Sequence, residues 1–266
     1  MKIYFLGDIG KYNNNLTNLL NKIKKTLKNE DILILLGDNF YYQGVDSIND
    51  KLWNKYLNTF NIPNKVYSIL GNHDYQLNPH AQIQFTKNNW NMPDWYYTLK
   101  LKDCQIWLLD TCQLVQLGTI EESSKYGHVT INNLEKIHNK SFKEIQNEQL
   151  VWLKNTLKKS DKQTKIVCGH YPLKSFGYHQ ESSVKELYDL LFPILKKYNV
   201  TYYICGHDHN LQYIVLNEDD YNLNHIIIGN SCQNTKHFNS PFLFYNNKCC
   251  YGFFDADKNK LILEKS

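Results

Sequence analysis

Arginine is absent from this chain of 266 residues, so all 30 of its strongly basic residues are lysine. No planar guanidinium fork is available for a phosphate, and an anion would have to be held by metal ions, His, Asn or Lys. Net charge is only +4, which makes no general electrostatic case for nucleic acid or a membrane surface as partner. No apolar run approaches the length of a membrane span. There is no Pro/Gly/Ser-rich linker and no internal repeat, so a single domain over residues 1–266 is expected. A secretory signal is also missing: Met1 leads straight into Ile3-Tyr4-Phe5-Leu6. The expectation is a cytoplasmic protein as written, or a secreted or vesicular one if an upstream segment is missing. The seven cysteines are odd in number, and Cys104 and Cys205 lie in apolar runs. They read as buried thiols rather than a disulfide framework. The vicinal Cys249-Cys250 pair has no further Cys or His at metal-binding spacing.

Asn and Lys are abundant instead, which reads as compositional bias rather than function. Sequons at Asn15, Asn139 and Asn199 are expected by chance in so Asn-rich a chain.

The first third reads β-α-β-α-β. Ile3–Leu6 is a short apolar strand, and Leu16, Leu19, Leu20, Ile23 and Leu27 recur at helical spacing. Ile32–Leu36 is a continuous apolar run, as in a strand buried on both faces. A helix over Ile48–Phe60 and a strand over Val66–Leu70 follow. Trp95–Leu101 and Gln105–Asp110 look like antiparallel strands. Gln113–Ser141 is polar without strong periodicity and reads as a surface loop or lid. A helix over Glu144–Lys159 leads into a second β-α-β: Lys165–Cys168, Val184–Tyr198 and Thr201–Cys205. The tail, Leu211–Leu216, His225–Ile228, Cys249–Phe254 and Leu261–Leu263, reads as short strands of a second sheet.

Five short blocks rich in metal-ligating residues punctuate this pattern: Asp8-Ile9-Gly10, Gly37-Asp38-Asn39-Phe40-Tyr41, Gly71-Asn72-His73-Asp74, Val167-Cys168-Gly169-His170 and Gly206-His207-Asp208-His209. Each closes a strand, and open α/β sheets place their sites outside the carboxyl ends of their strands. Any one block has an ordinary alternative as a turn or a polar surface. All five in order point to a pair of hard or borderline metal ions, because they supply carboxylates, a phenol, an amide and imidazoles.

The segment Gly37-Asp38-Asn39-Phe40-Tyr41-Tyr42-Gln43-Gly44-Val45 resembles its counterpart in the small, tartrate-resistant purple acid phosphatases, which lie within the calcineurin-like metallophosphoesterases. So do Gly71-Asn72-His73-Asp74, Gly169-His170-Tyr171-Pro172 and Gly206-His207-Asp208-His209-Asn210-Leu211-Gln212-Tyr213. The resemblance runs from about Ile3 to Tyr213. It departs at Asp8-Ile9-Gly10, where the family usually has Trp in the middle, and in Gln113–Ser141. It implies an α/β fold: a β-sandwich of two mixed sheets flanked by helices, built from two βαβ-type halves. It also implies that Asp8, Tyr41 and His209 bind Fe(III), and that Asn72, His170 and His207 bind a divalent ion (Fe, Zn or Mn). Asp38 would bridge the two ions. The chemistry is consistent, since hard ferric iron suits carboxylate and phenolate oxygens. Tyr41 is the diagnostic residue, and a phenolate on ferric iron gives the family its colour.

In such a centre two ions clamp a phosphate for in-line attack by a hydroxide formed on them, and no protein nucleophile is needed. His73 and His179 are the candidates to give the leaving group a proton. Asp74 could orient an imidazole or simply hydrogen-bond. The resemblance implies an acid phosphatase acting on small-molecule or protein phosphomonoesters. One alternative is a Mn/Zn phosphodiesterase of the same superfamily. Another is a scaffold on a phosphatase fold. His80, His128, His138, His225 and His237 have no ligand-like context. Asp110 ends an apolar strand and could support the site, a point the sequence leaves open.

Overall fold

The computed structural model describes residues 1–116, 129–177, 185–232 and 249–265. In chain order the elements are β1 (Lys2–Leu6), α1 (Asn14–Lys24), β2 (Ile32–Leu35), α2 (Leu52–Thr59), β3 (Val66–Ser68), α3 (His80–Gln84) and β4 (Trp90–Asn91). Then come β5 (Tyr97–Lys100), β6 (Cys104–Leu108), α4 (Ile131–His138), α5 (Phe142–Lys158) and β7 (Thr164–Cys168). The last are α6 (Lys185–Lys197), β8 (Tyr202–Cys205), β9 (Leu211–Glu218), β10 (Tyr221–Ile228), β11 (Cys250–Asp255) and β12 (Lys260–Lys265). Single 3-10 turns span His73–Tyr75 and Thr111–Gln113.

Two six-stranded mixed sheets carry the core, ordered β12-β11-β1-β2-β3-β4 and β5-β6-β7-β8-β10-β9. In the first, β1, β2, β3 and β4 run parallel, with β1 centred on the register Phe5↔Ile34. In the second, β6, β7, β8 and β10 run parallel. Every residue of β2 and β6 is buried, as a strand covered on both faces requires. Parallel strands of each sheet therefore deliver their carboxyl ends to one edge of the sandwich, where the ligand-bearing blocks follow.

The helices obey the same physics. Asn13 caps α1 by accepting from the Leu16 N–H, and Leu16, Leu19, Leu20 and Ile23 form its buried face. Ser141 and Glu144 make a reciprocal capping box at the start of α5. α2 begins at Leu52 rather than Ile48, because Asp50 Oδ1 accepts from the Leu52 N–H at 2.8 Å and the preceding residues form side-chain-bonded turns.

Two expectations are corrected. The span Gln113–Ser141 is not wholly loop: it contains α4, capped by Thr130 and ended by Asn139 in the left-handed conformation. Only Leu134 of α4 is buried, so no apolar stripe advertises the helix. Residues 117–128 of that span lie outside the described residues. The tail strands also do not form a sheet of their own. β9 and β10 extend the second sheet, whereas β11 returns to pair with β1 in the register Lys2↔Asp255 and brings β12 with it. None of the seven cysteines is in a disulfide, and all seven are buried.

Candidate metal centre

Each strand end hands its side chains to a common pocket. Asp8, Asp38 and His207 stand in left-handed backbone (φ of 57°, 53° and 70°). That conformation is costly for a non-glycine residue and turns the chain sharply out of the strand. Gly37, at φ 89°, and Gly71 admit the close approach of these turns, since a Cβ on Gly71 would lie 2.2 Å from Asp38 Oδ1.

Two groups of donor atoms result. In the first, Tyr41 Oη lies 3.0 Å from Asp8 Oδ1 and 2.9 Å from His209 Nε2, which is itself 3.3 Å from Asp8 Oδ1. Asp8, Asp38 and His209 can each offer a ligand atom with all such atoms within 4.8 Å of one another. In the second group, Asn72 Oδ1 is 3.0 Å from His170 Nε2 and 3.1 Å from His207 Nδ1. Asp38 connects the two, with Oδ1 3.5 Å from His170 Nε2.

The rings are aimed before any ion arrives. His170 Nδ1 donates to the Leu36 carbonyl at 2.8 Å, so the neutral imidazole keeps its Nε2 lone pair for the pocket. That lone pair faces the oxygens of Asn72 and Asp38. Acceptors turned on one another in a buried site fit a cation between them. Asp8 Oδ2 accepts from the His207 N–H at 2.9 Å, which leaves Oδ1 toward Tyr41 and His209.

The electrostatics agree. Burial alone would raise Asp38, but in the absence of a metal the positive charge of the His170 and His73 rings, when protonated, together with the His73 N–H bond, outweighs it and holds the carboxyl below its ordinary range. Burial lowers the basicity of His209, yet its hydrogen bond to Asp8 and the Asp8 charge leave it raised. Burial and the nearby Asp8 and Asp38 carboxylates push the Tyr41 phenol well up.

All seven residues expected as ligands thus meet in one place. His73 borders them, with Nε2 4.0 Å from Asp38 Oδ2 and the ring edge-on to Tyr41 at 4.9 Å. Its Nδ1 donates to the Tyr42 carbonyl at 2.6 Å. His179 lies outside the described residues, as do His128 and His237. His225 is a buried core imidazole whose Nδ1 faces the Tyr203 carbonyl and whose Nε2 accepts from the Lys174 N–H at 3.3 Å, and burial pushes it down to about 4.

Supporting residues were harder to see in sequence. Asp74 is fully buried and accepts from the backbone N–H groups of Asn39, Phe40 and Gly71 and from the Gln82 amide. It ties the Asp38–Tyr41 turn to the Asn72 turn. Burial and the neighbouring Asp38 push it up to about 6, against those hydrogen bonds. Its adjacency to His73 was the only hint. Ser231 accepts from the Gly7 N–H at 3.1 Å, and Cys232 donates to the Asp8 carbonyl at 2.7 Å. Thr111 accepts from the N–H groups of His170 and Tyr171. No local motif marks these three.

Residues 1–211 match the model of the calcineurin-like phosphoesterases. The chain belongs to that family. Within it, the chain is 34% identical over 215 residues to rabbit (Oryctolagus cuniculus) tartrate-resistant acid phosphatase type 5, covering 74% of this chain and 60% of that protein. The human (Homo sapiens) protein of the same name is 34% identical over 212 residues, covering 75% and 60%. Purple acid phosphatase 7 of Arabidopsis thaliana is 31% identical over 195 residues, covering 69% and 56%. The chain therefore spans about 60% of the length of the mammalian relatives it matches. Among solved structures, the Plasmodium protein described as GAP50, the anchor in the inner membrane complex, superposes with a TM-score of 0.73 at 22% identity, covering 100% of this chain and 88% of that one. A purple acid phosphatase from yellow lupin (Lupinus luteus) gives a TM-score of 0.65 at 16% identity, covering 100% and 51%. These two likenesses concern the fold alone. Among the described residues of this calcineurin-like chain, no helix is long and apolar enough to cross a membrane.

Proposed function

We propose that this chain is a dinuclear metal-dependent acid phosphatase that hydrolyses phosphomonoesters. Asp8, Tyr41 and His209 would hold Fe(III), Asn72, His170 and His207 would hold a divalent ion (Fe, Zn or Mn), and Asp38 would serve both. The observation that carries the reading is the convergence of Tyr41 Oη on Asp8 and His209 beside the Asn72-centred imidazole pair. A phenol in an otherwise carboxylate and imidazole cluster suits a hard trivalent ion. When bound, the ions would neutralise phosphate charge and acidify water for attack. The chain's own residues do the rest. Asp8 and Asp38 supply the negative charge that keeps two cations together. His170 and His207 orient the divalent side. His73 stands at the open rim, ready to give a proton to the leaving oxygen. His179 is proposed for the same role from the family pattern alone.

The first test is a visible absorption spectrum of the purified protein with metal analysis of the same sample. The expected result is a broad visible band with about two metal ions per chain, one of them iron. Tyr41→Phe should lose the band while keeping the divalent ion. A colourless wild type loaded with Zn or Mn would move the reading to a generic metallophosphoesterase, and comparison of mono- and bis-nitrophenyl phosphate would separate the phosphodiesterase from the monoesterase. A wild type that binds no metal would favour a scaffold.

Gly71→Ala tests the geometry of the same centre. Its new Cβ would stand 2.3 Å from the Asp38 N and 2.2 Å from Asp38 Oδ1, so the shared carboxylate must move. Overpacking of this kind costs about 1–3 kcal/mol. Metal content per chain should fall by more than the melting temperature explains. Full metal content in the variant would mean that the turn relaxes around the methyl group.

A further inference from the structure

A buried hydrogen-bonded clamp crosses between the two sheets behind the centre. It begins at Asn72, which opens the 3-10 turn His73–Tyr75; the Tyr75 N–H donates to the Asn72 carbonyl at 3.4 Å. Tyr75 Oη reaches across to Asp110 Oδ2 at 2.5 Å. Asp110 caps the turn Thr111–Gln113 by accepting from the Cys112 N–H at 3.1 Å, and Gln113 Nε2 donates to its Oδ2 at 3.1 Å. Thr111 Oγ1 then accepts from the His170 N–H at 3.2 Å and the Tyr171 N–H at 3.0 Å. Asp110 is pinned from its other side by Gln149 of α5, whose amide accepts from the Asp110 N–H and donates to its carbonyl, both at 3.0 Å.

Asp110, Thr111, Gln113 and Gln149 are all within 1% of complete burial. Among the described residues, no lysine or imidazole pairs with the Asp110 carboxylate. An acidic group so placed depends on its hydrogen bonds to offset the cost of burial. Burial pushes the carboxyl up to about 7, with the bonds from Tyr75, Cys112 and Gln113 pulling the other way.

The path runs Asn72–Tyr75–Asp110–Thr111–His170. It joins a ligand carried by the first sheet to one carried by the second. None of its bonds touches Asp8, Tyr41 or His209, which are held instead through the His207 N–H, Cys232 and one another.

We propose that Tyr75, Asp110 and Thr111 are positioning residues that set the spacing of Asn72 and His170, and so the affinity of the divalent half of the centre alone. The inference rests on the two-ion reading above. Partners that orient metal ligands typically contribute about 10–100-fold to affinity, so the effect should be measurable without loss of the fold.

The test is Zn(II) titration into iron-loaded protein, followed by metal analysis, for wild type, Tyr75→Phe and Thr111→Val. Tyr56→Phe serves as the control, since Tyr56 is fully buried and bonds only Asn89 among the described polar partners of its hydroxyl. Tyr75→Phe and Thr111→Val should each weaken Zn(II) binding by about tenfold, with iron content and the visible band unchanged. Tyr56→Phe should lower the melting temperature comparably and leave Zn(II) affinity where it was. The clamp is overturned if Tyr75→Phe binds Zn(II) as tightly as wild type, or if both ions are lost together in step with melting temperature. Wild-type protein that takes up iron but no second ion would refute the two-ion reading itself, and the clamp with it.

Discussion

Asp38→Asn should abolish turnover of phosphomonoesters while leaving the chain folded. The loss in kcat/KM should exceed the roughly 100-fold that follows removal of a partner behind a metal ligand, because Asp38 stands between the two donor groups themselves. Its Oδ1 accepts the His73 N–H at 3.0 Å and lies 3.5 Å from His170 Nε2. An asparagine oxygen can keep that hydrogen bond, so the shape of the turn survives and only the negative charge goes. Two unit charges about 4 Å apart repel by about 4 kcal/mol at an effective dielectric near 20, and more highly charged ions repel several-fold more. With Asp38 neutral, Asp8 is the one carboxylate left among the proposed ligands to offset this. The variant should therefore bind one ion per chain instead of two. Metal analysis, initial rates on an aryl phosphate and a melting curve on one preparation would check it. An Asp38→Asn protein that retained both ions and a rate within tenfold of wild type would remove Asp38 from the shared position.

The parts of this molecule that were legible in its sequence are those whose signal is local. Ile32–Leu35 is buried on both faces and needs no partner to be recognised as a strand. The turns after it carry glycine beside potential ligands, so Asp38, Asn72, His170 and His207 could be picked out before their neighbours were known. What failed was decided by distant contacts or by weak patterns. α4 offers a single buried residue, Leu134, and so leaves no stripe to count. β4 is only two residues long. The return of β11 to β1 pairs Phe254 with Ile3, a choice that no window along the chain can make. The same division runs through the site. Asp110 ended an apolar strand with its role undecided, because that role depends on Tyr75 and Gln149, 35 and 39 residues away. Ser231 acts on Gly7 across 224 residues. The proposed ligands thus announce themselves through short motifs, whereas the groups that support them are recruited from wherever the sheets bring a polar atom.

His73→Ala should lower kcat by about 10²–10⁴-fold, with a dependence on leaving group that identifies the step. The tautomer follows from geometry. A carbonyl oxygen cannot donate, so the 2.6 Å contact between His73 Nδ1 and the Tyr42 carbonyl requires a proton on Nδ1. The ring is then fixed with Nε2 turned to the pocket, 4.0 Å from Asp38 Oδ2. When the ring is protonated, the Nε2–H is the proton available to a leaving oxygen at the rim. His73 keeps a side-chain exposure of 21%, against none for His170, as a group that must meet substrate should. An alkyl alkoxide cannot leave without that proton, whereas nitrophenolate largely can. The full loss is therefore expected on an alkyl phosphate and a much smaller one on p-nitrophenyl phosphate, with metal content unchanged because His73 is not among the proposed ligands. His73→Gln, which retains hydrogen bonding without an acid of suitable strength, should resemble the alanine variant on the alkyl substrate. Equal losses on both substrates would assign His73 to phosphate binding instead, and loss of an ion would assign it to the metal shell. An unchanged rate on both would leave the proton to another group.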